Sequence, residues 1–266
     1  MSGYADFSEF YDRLMSDVGY TARAAYYLDL FERFGGKHPS SLLDIACGSG
    51  NLTGALVAYG IEVVGVDVSA PMLAKAADKL AGCEPPVLLL QQDMRELDLY
   101  GTAEGAICSL DSINHLCATK DIRRFLERLR LFVEPGGLFV FDVNTPFKHR
   151  EVLGDNAFVF EESDFLCIWR NRFIARTGET EMLLDFFVEQ EDGSYQRFFD
   201  TVRERGYSIR TVKTLLSETG WDCLAVFDDG TYDLPTATCE RWVFVARNNR
   251  TVEEALGMKT GETAYV

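Results

Sequence analysis

From residue 41 to residue 143, short apolar runs alternate with stretches of helical periodicity. Residues 41–46 (SLLDIA), 61–66 (IEVVGV), 87–90, 105–110 and 138–143 have the length and composition of strands. A helix is predicted near 51–59. Ser69 is placed to cap the next one, with Pro71 in its first turn and Leu73, Ala76, Ala77 and Leu80 on one face. Ile122, Phe125, Leu126 and Leu129 recur at helical spacing before the fifth strand, and Arg123, Arg124, Arg128 and Arg130 fall on the solvated side. Pro135-Gly136-Gly137 reads as the turn into that strand. Strand and helix alternating at this spacing predict a parallel sheet covered on both faces.

The flanking regions read differently. Residues 1–35 predict helices rich in tyrosine (Tyr4, Tyr11, Tyr20, Tyr26, Tyr27), broken by Gly35-Gly36 and Pro39. After residue 150 the period falls to two. Residues 158–160, 165–174, 182–189 and 195–202 read as antiparallel strands, with turn signals at Thr177-Gly178 and Asp192-Gly193. Helical spacing returns at Ser208 with Ile209, Val212, Leu215 and Leu216, stops at Gly220, and gives way to strands near 222–227 and 239–246. The expected division is a helical cap (1–35), an α/β domain (36–150 and 205–247), an inserted antiparallel sheet (151–204) and a loose polar tail (248–266).

Composition narrows the class. The 266 residues are 47% hydrophobic, enough for a sizeable core, and 26 basic against 42 acidic residues give a net charge of −16. Such a field repels phosphate backbones and anionic lipid, so neither nucleic acid nor membrane is the expected partner. No run is long and apolar enough to span a bilayer, and the first residues lack the basic-then-apolar layout of a signal peptide. Seven scattered cysteines without a CxxC pair, and three histidines (His38, His115, His149) at no ligand spacing, predict reduced thiols in the cytoplasm and no metal site.

The candidate chemistry centres on Leu42-Leu43-Asp44-Ile45-Ala46-Cys47-Gly48-Ser49-Gly50-Asn51-Leu52-Thr53. A strand ending in a glycine turn that opens a helix lets backbone approach a ligand and offers free N–H donors, as a nucleotide-like cofactor needs; a tight corner of the fold needs the same residues. Asp67, ending the second strand, suits two ribose hydroxyls. Asp93, just past the third, suits an adenine amino group, or caps a turn. Asp44 sits badly beside a pyrophosphate but well beside an ammonium and a sulfonium.

In Asp44-x-Ala46-Cys47-Gly48-x-Gly50, Asp67, Asp93 and Pro135-Gly136-Gly137, and more loosely in Glu240 to Arg247, the chain resembles the class I S-adenosylmethionine-dependent methyltransferases. Tyr11-Asp12-x-Leu14-Met15-x-Asp17-Val18 is similar to a bacterial branch with undefined substrates and a β insertion after the fifth strand. The resemblance implies a Rossmann-like, doubly wound, seven-stranded mixed sheet with S-adenosylmethionine as donor and S-adenosylhomocysteine as product. It implies that Asp44, Gly48 and Gly50, with Ala46 and Cys47 of the same turn, line the methionine part. Asp67 would hold the ribose, with Val68 beside it. Asp93 and the backbone at Met94 would read adenine, and Ser109 and Leu110 would approach the sulfonium. Tyr11 would close over the cofactor or simply pack its helix.

Methyl transfer from a sulfonium has a neutral leaving group, so alignment and removal of one proton are the main demands. His115 is the best base by its ordinary pKa, although the family often carries tyrosine at this point, and Asp111 would orient an amine or cap the following helix. The aromatic insert reads as a lid over the site, as packing against the main sheet, or as the face of a homodimer. The expected acceptor is a small molecule. Two other readings stand beside it. A non-catalytic sensor or scaffold would keep the same pocket. An NAD(P)-dependent oxidoreductase would need a turn other than Gly48-x-Gly50-x-x-x-Gly54.

Overall fold

The computed structural model describes residue 10 and residues 12–255. Helix α1 (Tyr20–Gly35) ends where Gly36 takes φ 84° and its N–H returns to the Glu32 carbonyl, the left-handed stop that glycine supplies. Strand β1 (Ser41–Ile45), α2 (Asn51–Val57), β2 (Glu62–Asp67), α3 (Ala70–Leu80) and β3 (Leu88–Gln91) follow. Ser69 accepts from the Met72 N–H and Pro71 sits in the first turn of α3, as the sequence predicts. Then come β4 (Ala103–Cys108), α4 (Thr119–Phe132) and β5 (Val133–Asn144).

The main sheet is completed by β10 (Trp221–Asp228) and β11 (Arg241–Asn248), which follow α5 (Ile209–Glu218). Its order is β10-β11-β5-β4-β1-β2-β3; β11 runs antiparallel to both neighbours, and the other six strands point the same way. Because side chains alternate along a strand, consecutive residues feed opposite cores. Leu43, Phe139 and Phe141 pack with Phe125, Leu129 and Trp221 on one face. Leu42, Leu138 and Val140 pack with Tyr27, Phe31 and Leu56 on the other.

Two expectations change. Pro135-Gly136-Gly137 lies within β5: Ala103 pairs with Val133 and Gly105 with Leu138, so residues 134–137 bulge opposite Glu104. The chain after 247 is anchored as far as it is described. Asn248 donates to the Val133 carbonyl at 2.8 Å, and Val252–Ala255 forms a short helix, α6.

Between β5 and α5 lies a second sheet of β6 (Ala157–Glu161), β7 (Phe165–Ile174), β8 (Glu179–Glu189) and β9 (Tyr195–Arg205), antiparallel throughout. One face buries Phe165, Cys167, Met182, Leu184, Phe186 and Val202 together with Phe10. On β8, Glu181 and Asp185 each stand between two arginines: Arg172 and Arg203 for the first, Arg170 and Arg197 for the second. Alternation of apolar and ion-paired positions gives this sheet one inner and one outer side. It is tied to the main domain where the Asn114 amide donates to the Arg205 carbonyl at 2.7 Å and the Tyr207 hydroxyl donates to the Leu116 carbonyl.

Candidate active site

The turn after β1 is built from left-handed backbone: Ala46 at φ 59°, Gly48 at 55° and Gly50 at 78°. A Cβ at Gly48 would meet nothing within 4 Å, so that residue faces open space. Gly50 has a different reason to be glycine. A Cβ there would lie 3.0 Å from Ala76 and Leu80, so it serves the close packing of α2 on α3. Asp67 accepts from the Gly48 N–H at 2.9 Å and the Ser69 N–H at 2.8 Å, holding the turn against the end of β2. Each oxygen keeps a second lone pair for a ligand. Burial raises its pKa against those amide bonds.

Asp44 is 2% exposed and accepts from the Thr53 hydroxyl at 2.6 Å. Burial, with Asp67 adding to it, pushes its pKa up to about 7. It lines a small annex with Cys47, Ser49, Ser109 and Tyr20. Asp93 caps a 3₁₀ turn (Met94–Glu96) and is gripped by Arg95, whose backbone N–H and guanidinium both donate to it at 2.9 Å. Arg95 holds that carboxyl below its ordinary range. The capping role expected as the alternative for Asp93 is therefore present, while Asp93, Met94 and Val68 all line the main cavity.

At the end of β4 the backbone is strained: Leu110 and Asp111 adopt φ 56° and 57°, a conformation that costs a non-glycine residue roughly 1 kcal/mol. Asp142 on β5 holds it there. Its carboxylate, fully buried, accepts from the Leu110 N–H at 2.8 Å, the Asp111 N–H at 2.7 Å and the Tyr27 hydroxyl at 2.8 Å. Arg23 lies 3.3 Å away and Arg241 3.7 Å. Ser109 is buried in the same network, 3.1 Å from Asp142.

This geometry aims Asp111 at Arg241, 3.1 Å away, and at the Asn144 amide, which also donates to Glu204 at 3.2 Å. Burial works against the Asp111 charge, but Arg241 and Lys148 outweigh it and lower its pKa. Glu204, on β9, is buried, and burial together with the Asp111 charge raises its pKa. Its Oε1 lies 3.8 Å from His115 Nε2 and its Oε2 3.7 Å from His149 Nε2. Burial lowers the pKa of His115, with Asp111 and Asp67 pulling the other way. The neutral imidazole is the form that can accept a proton.

Gly48, Asp67, Asp93, Asp111, His115 and Glu204 border one cavity of 350 Å³ across the carboxyl ends of the strands. One end is walled by Asp67, Val68, Asp93 and Met94; the other by Asp111, His115, Glu204 and the inner side of the second sheet through Trp169, Met182, Leu184 and Val202. Leu14 and Met15 complete it. Just before them, Asp12 reaches the glycine turn, accepting from Ser49 at 2.5 Å and Asn51 at 2.9 Å beside Lys79 at 2.7 Å. Tyr11 lies outside the described residues. Asp12, Lys79, Asp142, Asn144, Glu204 and Arg241 were not foreseen as site residues; Asp12 and Arg241 stood in the sequence only as members of segments that carry the family resemblance. Among the described residues no cluster of side chains has metal-binding geometry, and no helix is long and apolar enough to cross a membrane.

A parallel sheet closed by one antiparallel strand, with an acid ending β2 and a ligand-sized cavity over the strand ends, defines a Rossmann-like cofactor-dependent enzyme class. Comparison with known proteins narrows it. Residues 42–137 match the methyltransferase domain family. A protein of Geobacillus sp. (strain WCH70), provisionally named a methyltransferase, is 30% identical over 244 residues, spanning 92% of this chain and 99% of that one. YqeM of Bacillus subtilis (strain 168), named in the same way, is 31% identical, spanning 94% and 98%. A solved S-adenosylmethionine-dependent methyltransferase of Clostridium acetobutylicum superposes with a TM-score of 0.81 at 27% identity, covering 92% of this chain and 98% of that one. The chain belongs to the S-adenosylmethionine-dependent methyltransferase family.

Proposed function

We propose that the chain transfers the methyl group of S-adenosylmethionine to a small-molecule acceptor enclosed between the main sheet and the inserted one. The observation that carries this reading is the single cavity whose walls come from the glycine-turn side at one end and from Trp169, Met182, Leu184, Val202 and Glu204 of the insert at the other. A donor and an acceptor placed end to end in it would meet near Leu110, Asp111 and His115. In this reading residues 36–150 and 205–247 bind the donor, 151–204 cover the acceptor, and 1–35 form a cap.

The residues present fit the donor. Gly48 leaves open space where a ligand would lie. Asp67 has lone pairs free for ribose hydroxyls, and Val68, Met72 and Met94 give apolar walls to a base. Asp44, with Ala46 and Cys47, offers a buried carboxylate to the ammonium of the methionine part. When bound, the donor supplies a methyl group on a sulfonium that leaves as a neutral thioether. The chain has then to align the nucleophile, exclude water and accept one proton, for which His115 and Asp111 are the candidates expected from the sequence. A nitrogen acceptor is supported by a dTDP-3-amino-3,6-dideoxy-α-D-glucopyranose N,N-dimethyltransferase of Streptomyces fradiae, 33% identical over 140 residues, 52% of each chain.

The test is release of S-adenosylhomocysteine from wild-type protein offered pools of small amines and hydroxy compounds. Turnover with one of them is expected; turnover only with RNA or protein would overturn the small-molecule reading. Asp67→Ala should weaken donor binding by about 1–3 kcal/mol through the unpaired hydroxyls, measured by calorimetry. Unchanged affinity in a folded variant would remove Asp67 from the donor site.

A further inference from the structure

Glu204 is a buried carboxyl that the family motifs do not include, delivered to the cavity by the insert rather than by the main sheet. Its two oxygens face two different imidazoles. Oε1 is 3.8 Å from His115 Nε2, too far for a direct hydrogen bond. A third polar atom can nevertheless sit about 2.8 Å from both, the ordinary hydrogen-bond length. Oε2 takes the Asn144 amide at 3.2 Å and lies 3.7 Å from His149 Nε2. That nitrogen is fully buried and has no hydrogen-bond partner among the described residues, while His149 Nδ1 is engaged by the Thr180 hydroxyl at 2.9 Å.

We propose that Glu204 is a catalytic residue of the transfer reaction: with His115 it straddles the X–H group of the acceptor, an amine or hydroxyl, and its carboxylate takes the proton. The inference rests on the methyl-transfer reading above. The balance is simple. The lone pair on X forms the X–CH₃ bond and the C–S bond breaks with its electron pair going to sulfur. The proton on X passes to Glu204, so one positive sulfonium and one carboxylate become a neutral thioether and a neutral carboxyl.

The surroundings suit a carboxyl that changes charge state during turnover. The charged and titratable groups facing it are Asp111, His115 and Cys117 from the segment after β4, Lys148 and His149 after β5, and Arg241 on β11. Thr180 is its neighbour across β8. Burial and Asp111 favour the protonated form, whereas Lys148 and Arg241 keep the ionised form accessible. Burial lowers the His149 pKa to about 4, so at neutral pH its imidazole is uncharged and places no cation beside Glu204. The insert would thus supply chemistry as well as cover.

The test has two arms on the full chain. In the first, the His115 Cε1–H resonance is followed by NMR against pH. A two-step curve is expected in the wild type, the second step reporting Glu204, collapsing to one step in Glu204→Gln. A one-step wild-type curve, or identical curves in both proteins, would overturn the proposal, and the wild-type curve decides even if the variant fails to fold. In the second, an acceptor found for the wild type is used to compare variants. Glu204→Gln should lower kcat/KM by about 100-fold or more and remove the acid limb of the pH profile, as loss of a general base does. Glu204→Asp should recover part of it, and Glu181→Gln, on the outer side of the same sheet, should leave turnover intact. Turnover of Glu204→Gln within threefold of wild type would overturn the assignment. Failure of the wild type on every small amine and hydroxy compound would instead overturn the small-molecule reading, leaving the NMR arm to judge the placement of Glu204.

Discussion

Inside β1 the Asp44 carboxyl meets the Thr53 hydroxyl and, among the described residues, no cation, and burial holds its pKa near neutrality, at about 7. An ammonium docked in the adjoining annex would bind the ionised form. Below pH 7 the carboxyl is already protonated and must lose its proton on binding; above it, no proton moves. Donor affinity should therefore fall about tenfold for each unit that the pH drops below 7, the slope of one linked proton. Asp44→Asn should bind more weakly and show no slope, measured by calorimetry at several pH values; a pH-independent wild type would show that Asp44 does not face the ammonium. Asp44 and Asp67 were legible in the sequence because each lies at or next to a strand end marked by a glycine turn or a helix cap. Asp142, Arg241 and Glu204 were not. Asp142 reads as one polar residue in an apolar strand, and its role appears only once β4 and β5 pair and leave the Leu110 and Asp111 amides in its reach.

Strand and helix identities followed from periodicity because each face of the main sheet needs its own apolar set, and Leu42 and Leu43 go to different cores. The bulge at residues 134–137 escaped because proline and two glycines signal a turn without saying whether pairing resumes in the same strand. The segment around Asp12 is the element whose function least resembles its sequence. Phe10 stacks on Phe165 and Phe186 at 5.3 and 4.9 Å between ring centres. Arg13 pairs with Glu162 and Asp164 and lies 4.4 Å over the Phe165 ring. Asp12 meanwhile holds the glycine turn, so the segment straps one sheet to the other past the cavity mouth. Asp12→Ala should speed donor dissociation about tenfold, roughly 1.4 kcal/mol, without abolishing binding. Stopped-flow displacement by S-adenosylhomocysteine measures it, and an unchanged rate would mean that the strap does not gate the donor.

At the scale of the whole molecule, a net charge of −16 and a cavity rimmed by Asp67, Asp93, Asp111 and Glu204 favour a cationic donor over an anionic dinucleotide. The sheet order brings Asp67 of β2 to one end of that cavity and Asp44 of β1 to the annex beside it, and the insert brings Glu204 to the other end. The most direct test is calorimetric titration of the purified chain with S-adenosylmethionine, S-adenosylhomocysteine and NADH. Micromolar binding of the first two, with no heat from NADH, is the predicted result. Binding of NADH with none of the sulfonium donor would contradict the account at its centre.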